Sequence, residues 1–251
     1  MRRVNWSQAV AEVVLLLGGA ALALGVDSCQ GAAEDAAVEH AYLTSLRRDF
    51  EEASATLEQR EALVAEQLEH NQAFLEILAG PVGAVGVDSL SLLVRPAFVM
   101  RLSQPEIVTY RDLVSSGNLG VLTSELLRAS LVRYDLSLNE VEAITAVSMD
   151  QWASLQSSYF IANLNTTTVY GRESLSAVTA ADSSWVLAHT PIVAHISTDP
   201  GAFWSREFVN LLAIRNLTLS DEIRLVRVSL ELAREISRQL EDLLDARSKG
   251  R

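Results

Sequence analysis

Apolar side chains recur at helical spacing along most of the chain, and the places where the recurrence stops divide it into elements. Leu43, Leu46, Phe50, Ala53 and Leu57 alternate intervals of three and four, which is a heptad seam. Beyond Leu57 the strict seam meets Arg60, Gln67 and Asn71, and the apolar set shifts to Val64, Leu68, Leu75 and Leu78. This drift predicts a helix packed in a bundle rather than a free coiled coil. Gly80-Pro81 should stop it. Asp88 is placed to cap a short apolar helix through Leu90, Leu92, Leu93 and Val94, with Pro96 ending it. Pro105, with Ser103 as cap, opens a helix that ends at Gly117 or Asn118. Another starts at Thr123 or Ser124 and carries Leu126, Leu127, Leu131 and Tyr134. Ser137 and Glu140 have the spacing of a capping box. The helix they would open presents Val141, Ile144, Val147 or Ser148, Trp152, Leu155 and Tyr159 on one face. Leu175, Val178, Trp185 and Leu187 suggest a further helical piece. A short helix from Ala202 to Asn216 precedes a last one, capped by Ser220, with Leu225, Val228, Leu232, Ile236, Leu240 and Leu243. No alternating run is convincing as a strand, so the predicted fold class is all-α.

One stretch has a different pattern. Ala9 to Val26 reads AVAEVVLLLGGAALALGV, interrupted by a single charge at Glu12. About 18 helical residues span roughly 27 Å, just short of a hydrocarbon core, and bilayer thinning or snorkelling closes the gap. Arg2 and Arg3 precede the run and Asp27, Glu34, Asp35 and Glu39 follow it, so the expected orientation puts the start in the cytoplasm and the bulk outside. Three readings of this start stand side by side: an uncleaved anchor, which the residues favour; a lipoprotein signal with Cys29 as the lipidated residue; and a cleaved signal peptide. Glu12 is either an intramembrane contact or proton-linked group, or a carboxyl snorkelling to the nearby interface. Gly18-Gly19-Ala20-Ala21 would let a second helix approach closely. The predicted organisation is a cytoplasmic start (1–8), a transmembrane helix (9–26), a long amphipathic helix or stalk (27–79) and a bundle (80–251) completed by that helix.

Composition sharpens this picture. The net charge is −12 over 251 residues. Removing Arg2, Arg3 and Glu12 makes the exported remainder one unit more negative. An acidic chain has no basic excess to displace counterions from phosphates, so nucleic acid is not an expected partner. Cys29 is the only cysteine, which excludes an intrachain disulfide and any multi-cysteine metal site.

Catalytic signals are missing from the sequence. No serine sits in a Gly-x-Ser-x-Gly elbow, no phosphate loop carries its lysine, and Lys249 is the only lysine. His189 and His195 flank Pro191 without metal-ligand spacing, and His40 and His70 lie on the long polar helix. Trp152, Trp185 and Trp204 read as core or interface aromatics. The loop holding Gly117, Asn118 and Gly120 reads mainly as a helix C-cap followed by an N-cap, and secondarily as backbone N–H groups offered to an anion or a partner. No cofactor or metal is expected, and a small-molecule ligand is disfavoured.

Several segments together resemble a known family. The apolar start is followed by Glu39, Tyr42, Leu43, Leu46 and Asp49, in the pattern Glu-x-x-Tyr-Leu-x-x-Leu-x-x-Asp. TYRDLVSSGNLGVL (Thr109–Leu122), LLRASLVRYDLSL (Leu126–Leu138) and SREFVNLLAIR (Ser205–Arg215) follow in order. The chain resembles an uncharacterised bacterial family of single-pass membrane proteins, and Glu12 matches an acidic position in that family's span. It departs from the family in a span richer in Gly and Ala, in the acidic segment before Glu39, and in Cys29. The resemblance implies a single N-terminal span and an all-helical exported domain; it brings no activity. The function expected is a membrane-anchored, non-enzymatic scaffold or accessory subunit that meets a protein partner or a second copy. The alternative is a ligand-binding sensor module that acts through a partner.

Overall fold

A computed structural model describes the backbone of residues 6–98, 104–165, 198–199 and 201–249, and side chains within those ranges from residue 34 onward. Among the described residues the regular structure is entirely helical, with no strand. The elements are α1 (Trp6–Ala79), α2 (Val87–Leu93), α3 (Val108–Ser115), α4 (Glu125–Gln151), α5 (Ser157–Asn163) and α6 (Arg206–Lys249). Short 3-10 turns lie at Pro96–Phe98, Asn118–Val121 and Ala202–Trp204, and a π-helical turn at Trp152–Gln156 joins α4 to α5. The helical piece expected around Leu175 to Leu187 lies outside the described residues, as do His189 and His195. So do the side chains of Glu12, Gly18, Gly19 and Cys29, although the backbone there belongs to α1.

The chain forms two compact units, neither contiguous in sequence: residues 1–51, 107–131 and 236–251, and residues 52–106 and 132–235. In the first, Glu39, Leu43, Leu46 and Phe50 of α1 are buried with Leu113 of α3, Leu127 and Leu131 of α4, and Ile236 and Leu240 of α6. In the second, α1 buries Ala53, Leu57, Arg60, Val64, Gln67, Asn71, Phe74 and Leu78.

This list corrects the expected drift of the α1 seam. The buried positions keep alternating three and four from Glu39 to Leu78. The seam does not move at Arg60; polar side chains occupy it, and Leu68 and Leu75 stay half-buried beside it. A strict 3.5-residue period over that length is the signature of helices that supercoil around one another. The last helix follows the same rule through Phe208, Leu212, Arg215, Leu219, Glu222, Val226, Ser229, Ala233, Ile236 and Leu240. The face expected there is therefore shifted: Val228 is 41% exposed, and Val226 and Ala233 are buried instead.

Two predicted helix breaks are absent. Ser137 and Glu140 do not cap a helix, because α4 runs through them as one element. Buried Leu127, Leu131, Tyr134, Val141, Thr145 and Ser148 continue one face past Ser137, whose hydroxyl donates to the Tyr134 carbonyl (2.7 Å). Ser220 likewise sits inside α6 and donates to the Asn216 carbonyl (2.8 Å). The caps that operate are Ser124, whose Oγ accepts from Leu127 N–H (3.2 Å), and Ser205, whose Oγ accepts from Phe208 N–H (3.0 Å). Leu126 and Leu155, expected inside, are 62% and 46% exposed.

One hydrophobic core of the second unit is aromatic. Phe74, Phe98, Tyr159, Phe160, Phe203 and Phe208 are buried together, with Trp152 and Trp204 against them. Phe208 meets Phe203 edge-on at 5.4 Å, and Phe98 meets Phe160 the same way at 4.9 Å, the arrangement ring quadrupoles favour. Trp152 is half-buried and packs on Phe98 and Phe160, so its predicted core role holds. The buried Tyr159 hydroxyl donates to the Ala202 carbonyl (2.6 Å) and pairs with Ser205 Oγ (2.8 Å), tying α5 to the start of α6. Burial raises its pKa, Glu207 and Asp199 add to the rise, and the Ser205 bond opposes it.

Candidate functional site

In the first unit, a single buried carboxylate gathers three segments that are far apart in sequence. Glu39 is 4% exposed and occupies an apolar seam position of α1, where an unpaired charge would be costly. Its Oε1 accepts from the Thr123 backbone N–H (2.7 Å) and the Thr123 hydroxyl (2.8 Å). Its Oε2 is paired with the guanidinium of Arg247, near the end of α6, which also donates to the Ala36 carbonyl (3.3 Å). Burial alone would raise the Glu39 pKa. The Thr123 and Arg247 hydrogen bonds outweigh burial and hold it below the ordinary carboxylate range.

The loop before α4 is shaped to bring Thr123 there. Ser116 N–H closes α3 onto the Asp112 carbonyl (2.9 Å), and Gly117 follows at φ 73°, the left-handed conformation a C-cap needs. The predicted C-cap role of Gly117 is therefore met. Asn118 and Gly120 lie in the 3-10 turn that follows, and Ser124 then caps α4. The chain's own Glu39 takes the backbone N–H of Thr123, just ahead of that cap. Asp49 performs the same service for α3, its Oδ2 accepting from Thr109 N–H (2.8 Å), so the working cap comes from α1. Tyr42 donates to Asp112 at 3.4 Å. Three of the residues quoted for the family resemblance, Glu39, Tyr42 and Asp49, thus reach into the segment from Thr109 to Thr123.

Beside this clamp lies an open cleft of about 610 Å³, lined by Asp35, Ala36, Val38, Glu39, Gly120, Val121, Thr123 and Arg247. Of the predicted loop residues only Gly120 reaches it. Glu39, Thr123 and Arg247 pair with one another at its edge, so these three side chains fasten helices, and Asp35 also lines the cleft. Among the described residues no group of three metal-ligating side chains comes together.

The second unit holds a separate polar layer. Arg60, 1% exposed, donates through Nε (3.1 Å) and Nη2 (2.8 Å) to Glu222 Oε1, and through Nη2 to Thr145 Oγ1 (2.7 Å). Gln67 accepts from Arg215 (3.3 Å) and donates to the Pro96 (2.7 Å) and Ala97 (3.0 Å) carbonyls, while Asn71 donates to Asn216 Oδ1 (2.9 Å). Burial lowers the Arg215 pKa, and attraction to Glu222 partly restores it. Glu58–Arg234 (2.7 Å) and Glu61–Arg227 (2.6 Å) flank the layer on the surface, and these pairings make α1 and α6 antiparallel in this unit. Polar residues at seam positions select one register out of the several that an all-apolar seam would accept. Sequence spacing exposed these residues as an interruption; their partners, on helices distant in sequence, left no local signal.

No helix is long and apolar enough to cross a membrane among the described residues; the side chains of Ala9–Val26 lie outside them. No family model, curated protein or solved structure matches the chain.

Proposed function

We propose that the chain is a membrane-anchored, non-enzymatic scaffold or accessory subunit that presents an acidic helical domain to a protein partner on the outer face of the cytoplasmic membrane. The observation that carries this reading is the continuity of α1. The apolar run Ala9–Val26 belongs to the same uninterrupted helix, Trp6–Ala79, that supplies the seam of both units. A flexible linker would decouple an anchor from its domain; an unbroken helix passes the anchor's position and orientation to the bundle. Arg2 and Arg3 before the run, and the acidic side chains after it, favour the orientation with the bundle outside.

Within the span, Gly18 and Gly19 give a neighbouring helix room to approach, and Glu12 lies about one turn from the cytoplasmic end. Cys29 lies just past the outer end, where a lipid would add a second anchor. The clamp and the polar layer hold helices together and leave the outer surfaces for recognition. Crosslinking in native membranes followed by detergent extraction tests the proposal. A discrete adduct of higher mass is expected, and a strictly monomeric, partner-free species would contradict it.

A further inference from the structure

The outward face of α4 in the second unit joins two features that are separately ordinary. Val132, Leu136 and Val147 are 43%, 58% and 46% exposed, and Ala143 between them is exposed as well. Their spacing of four, seven and four residues places them in one stripe, opposite the buried Tyr134, Ser137, Val141, Thr145 and Ser148. Single exposed apolar residues are common on any surface; a stripe over four turns of one helix is the pattern of a helix contact. The stripe is flanked by Asp135, Glu140 and Glu142, with Arg133 beside its first residue and Asp150 at its far end, all exposed. From Tyr134 to Asn163 the sequence contains no lysine or arginine.

Charge selects the occupant. In a parallel pair of copies, Asp135 of one would face Glu140 of the other across the seam, at the five-residue offset where coiled coils place opposite charges. In an antiparallel pair centred on the stripe, Glu140 would face its own copy. Both arrangements set like charges against each other, so a second copy is disfavoured. An anionic lipid surface would be repelled by the same rim.

We infer that this face of α4 docks an amphipathic helix of another protein whose apolar stripe is flanked by lysine or arginine. The inference rests on the scaffold reading above and names the chemistry of its partner. Docking buries Leu136 and Val147, and the acidic rim steers the basic helix and fixes its placement.

The test uses the full chain in nanodiscs of zwitterionic lipid, with fluorescently labelled 21-residue helical peptides carrying leucine at the seam and either lysine or glutamate at the flanks. The lysine peptide should bind in the micromolar range, at least tenfold more tightly than the glutamate peptide, and more weakly as salt is raised from 50 to 300 mM. Binding should fall at least tenfold in Leu136→Glu/Val147→Glu, which tests the stripe, and in Glu140→Lys/Glu142→Lys, which tests the rim. All four substitutions change exposed side chains, and circular dichroism checks that the helices persist. Absent binding, or binding that both double variants leave intact, would overturn the inference, the second result because attraction would then be to the acidic chain at large. Sedimentation showing a dimer that Leu136→Glu/Val147→Glu converts to monomer would also overturn it and assign the face to a second copy. Membrane residence of the native chain is read separately by fractionation, so failure of the anchor and failure of the docking face give different results.

Discussion

Replacing Arg60 by alanine isolates the buried polar layer. The substitution removes both hydrogen bonds to Glu222, at 3.1 and 2.8 Å, and the 2.7 Å bond to Thr145. It leaves the Glu222 carboxylate, whose side chain is 5% exposed, without the guanidinium that neutralises it. Breaking one side of a buried ion pair costs about 3–5 kcal/mol, most of it the desolvation of the stranded charge. Attraction between Glu222 and Arg215 softens the loss, so the lower end, about 3 kcal/mol, is expected. For a chain of this size that corresponds to a fall in Tm of about 6–12 °C. Urea denaturation followed by circular dichroism and tryptophan fluorescence reads it. The companion variant Arg60→Met/Glu222→Met removes both charges at similar volume and should regain most of the stability while losing specificity of register. A loss below about 1 kcal/mol in Arg60→Ala would refute the reasoning, because a pair that cheap to break is solvated.

Three further outcomes follow from the same physics. Below its ordinary range Glu39 keeps its charge, so its contribution to stability is full above the unfolded carboxyl pKa and is lost as pH falls through the lower folded value; protection of the Thr123 amide from hydrogen exchange should decline in that acid window, and Glu39→Ala, costing about 2 kcal/mol at neutral pH, should remove the dependence. Gly117→Ala should cost about 1 kcal/mol because its φ of 73° disfavours a side chain, whereas Gly120→Ala, with no atom within 4 Å of the new Cβ, should change urea stability by less than about 0.5 kcal/mol. Phe208→Ala should cost about 3–5 kcal/mol, since its ring is fully buried against Phe74, Phe98, Tyr159 and Phe203, and the same denaturation experiment measures it.

The all-helical class and the ends marked by Gly80-Pro81, Gly117 and Ser124 were legible because each depends on local chemistry. The seam was legible only where apolar side chains filled it. At Arg60, Gln67 and Asn71 a hydropathy pattern sees an interruption, while the geometry keeps the same face because charges and amides there are paired inside. Ser137 and Ser220 mislead for a related reason: a hydroxyl can bond the carbonyl a turn behind it in the middle of a helix, so a cap residue signals an end only where the apolar period also stops. The Glu39 clamp could not be read locally, because its partners lie 84 and 208 residues away. Its one trace is a glutamate four residues before Leu43, in register with the seam.

Membrane topology bears most directly on the anchored scaffold. Val82, in the turn after α1, is 74% exposed. A Val82→Cys substitution on a Cys29→Ser background gives a chain with one reactive thiol. In intact cells a membrane-impermeant maleimide should label it without permeabilisation, and the labelled chain should stay with the membranes through an alkaline carbonate wash. Labelling only after the membrane is opened, or release of the chain by carbonate, would contradict the account.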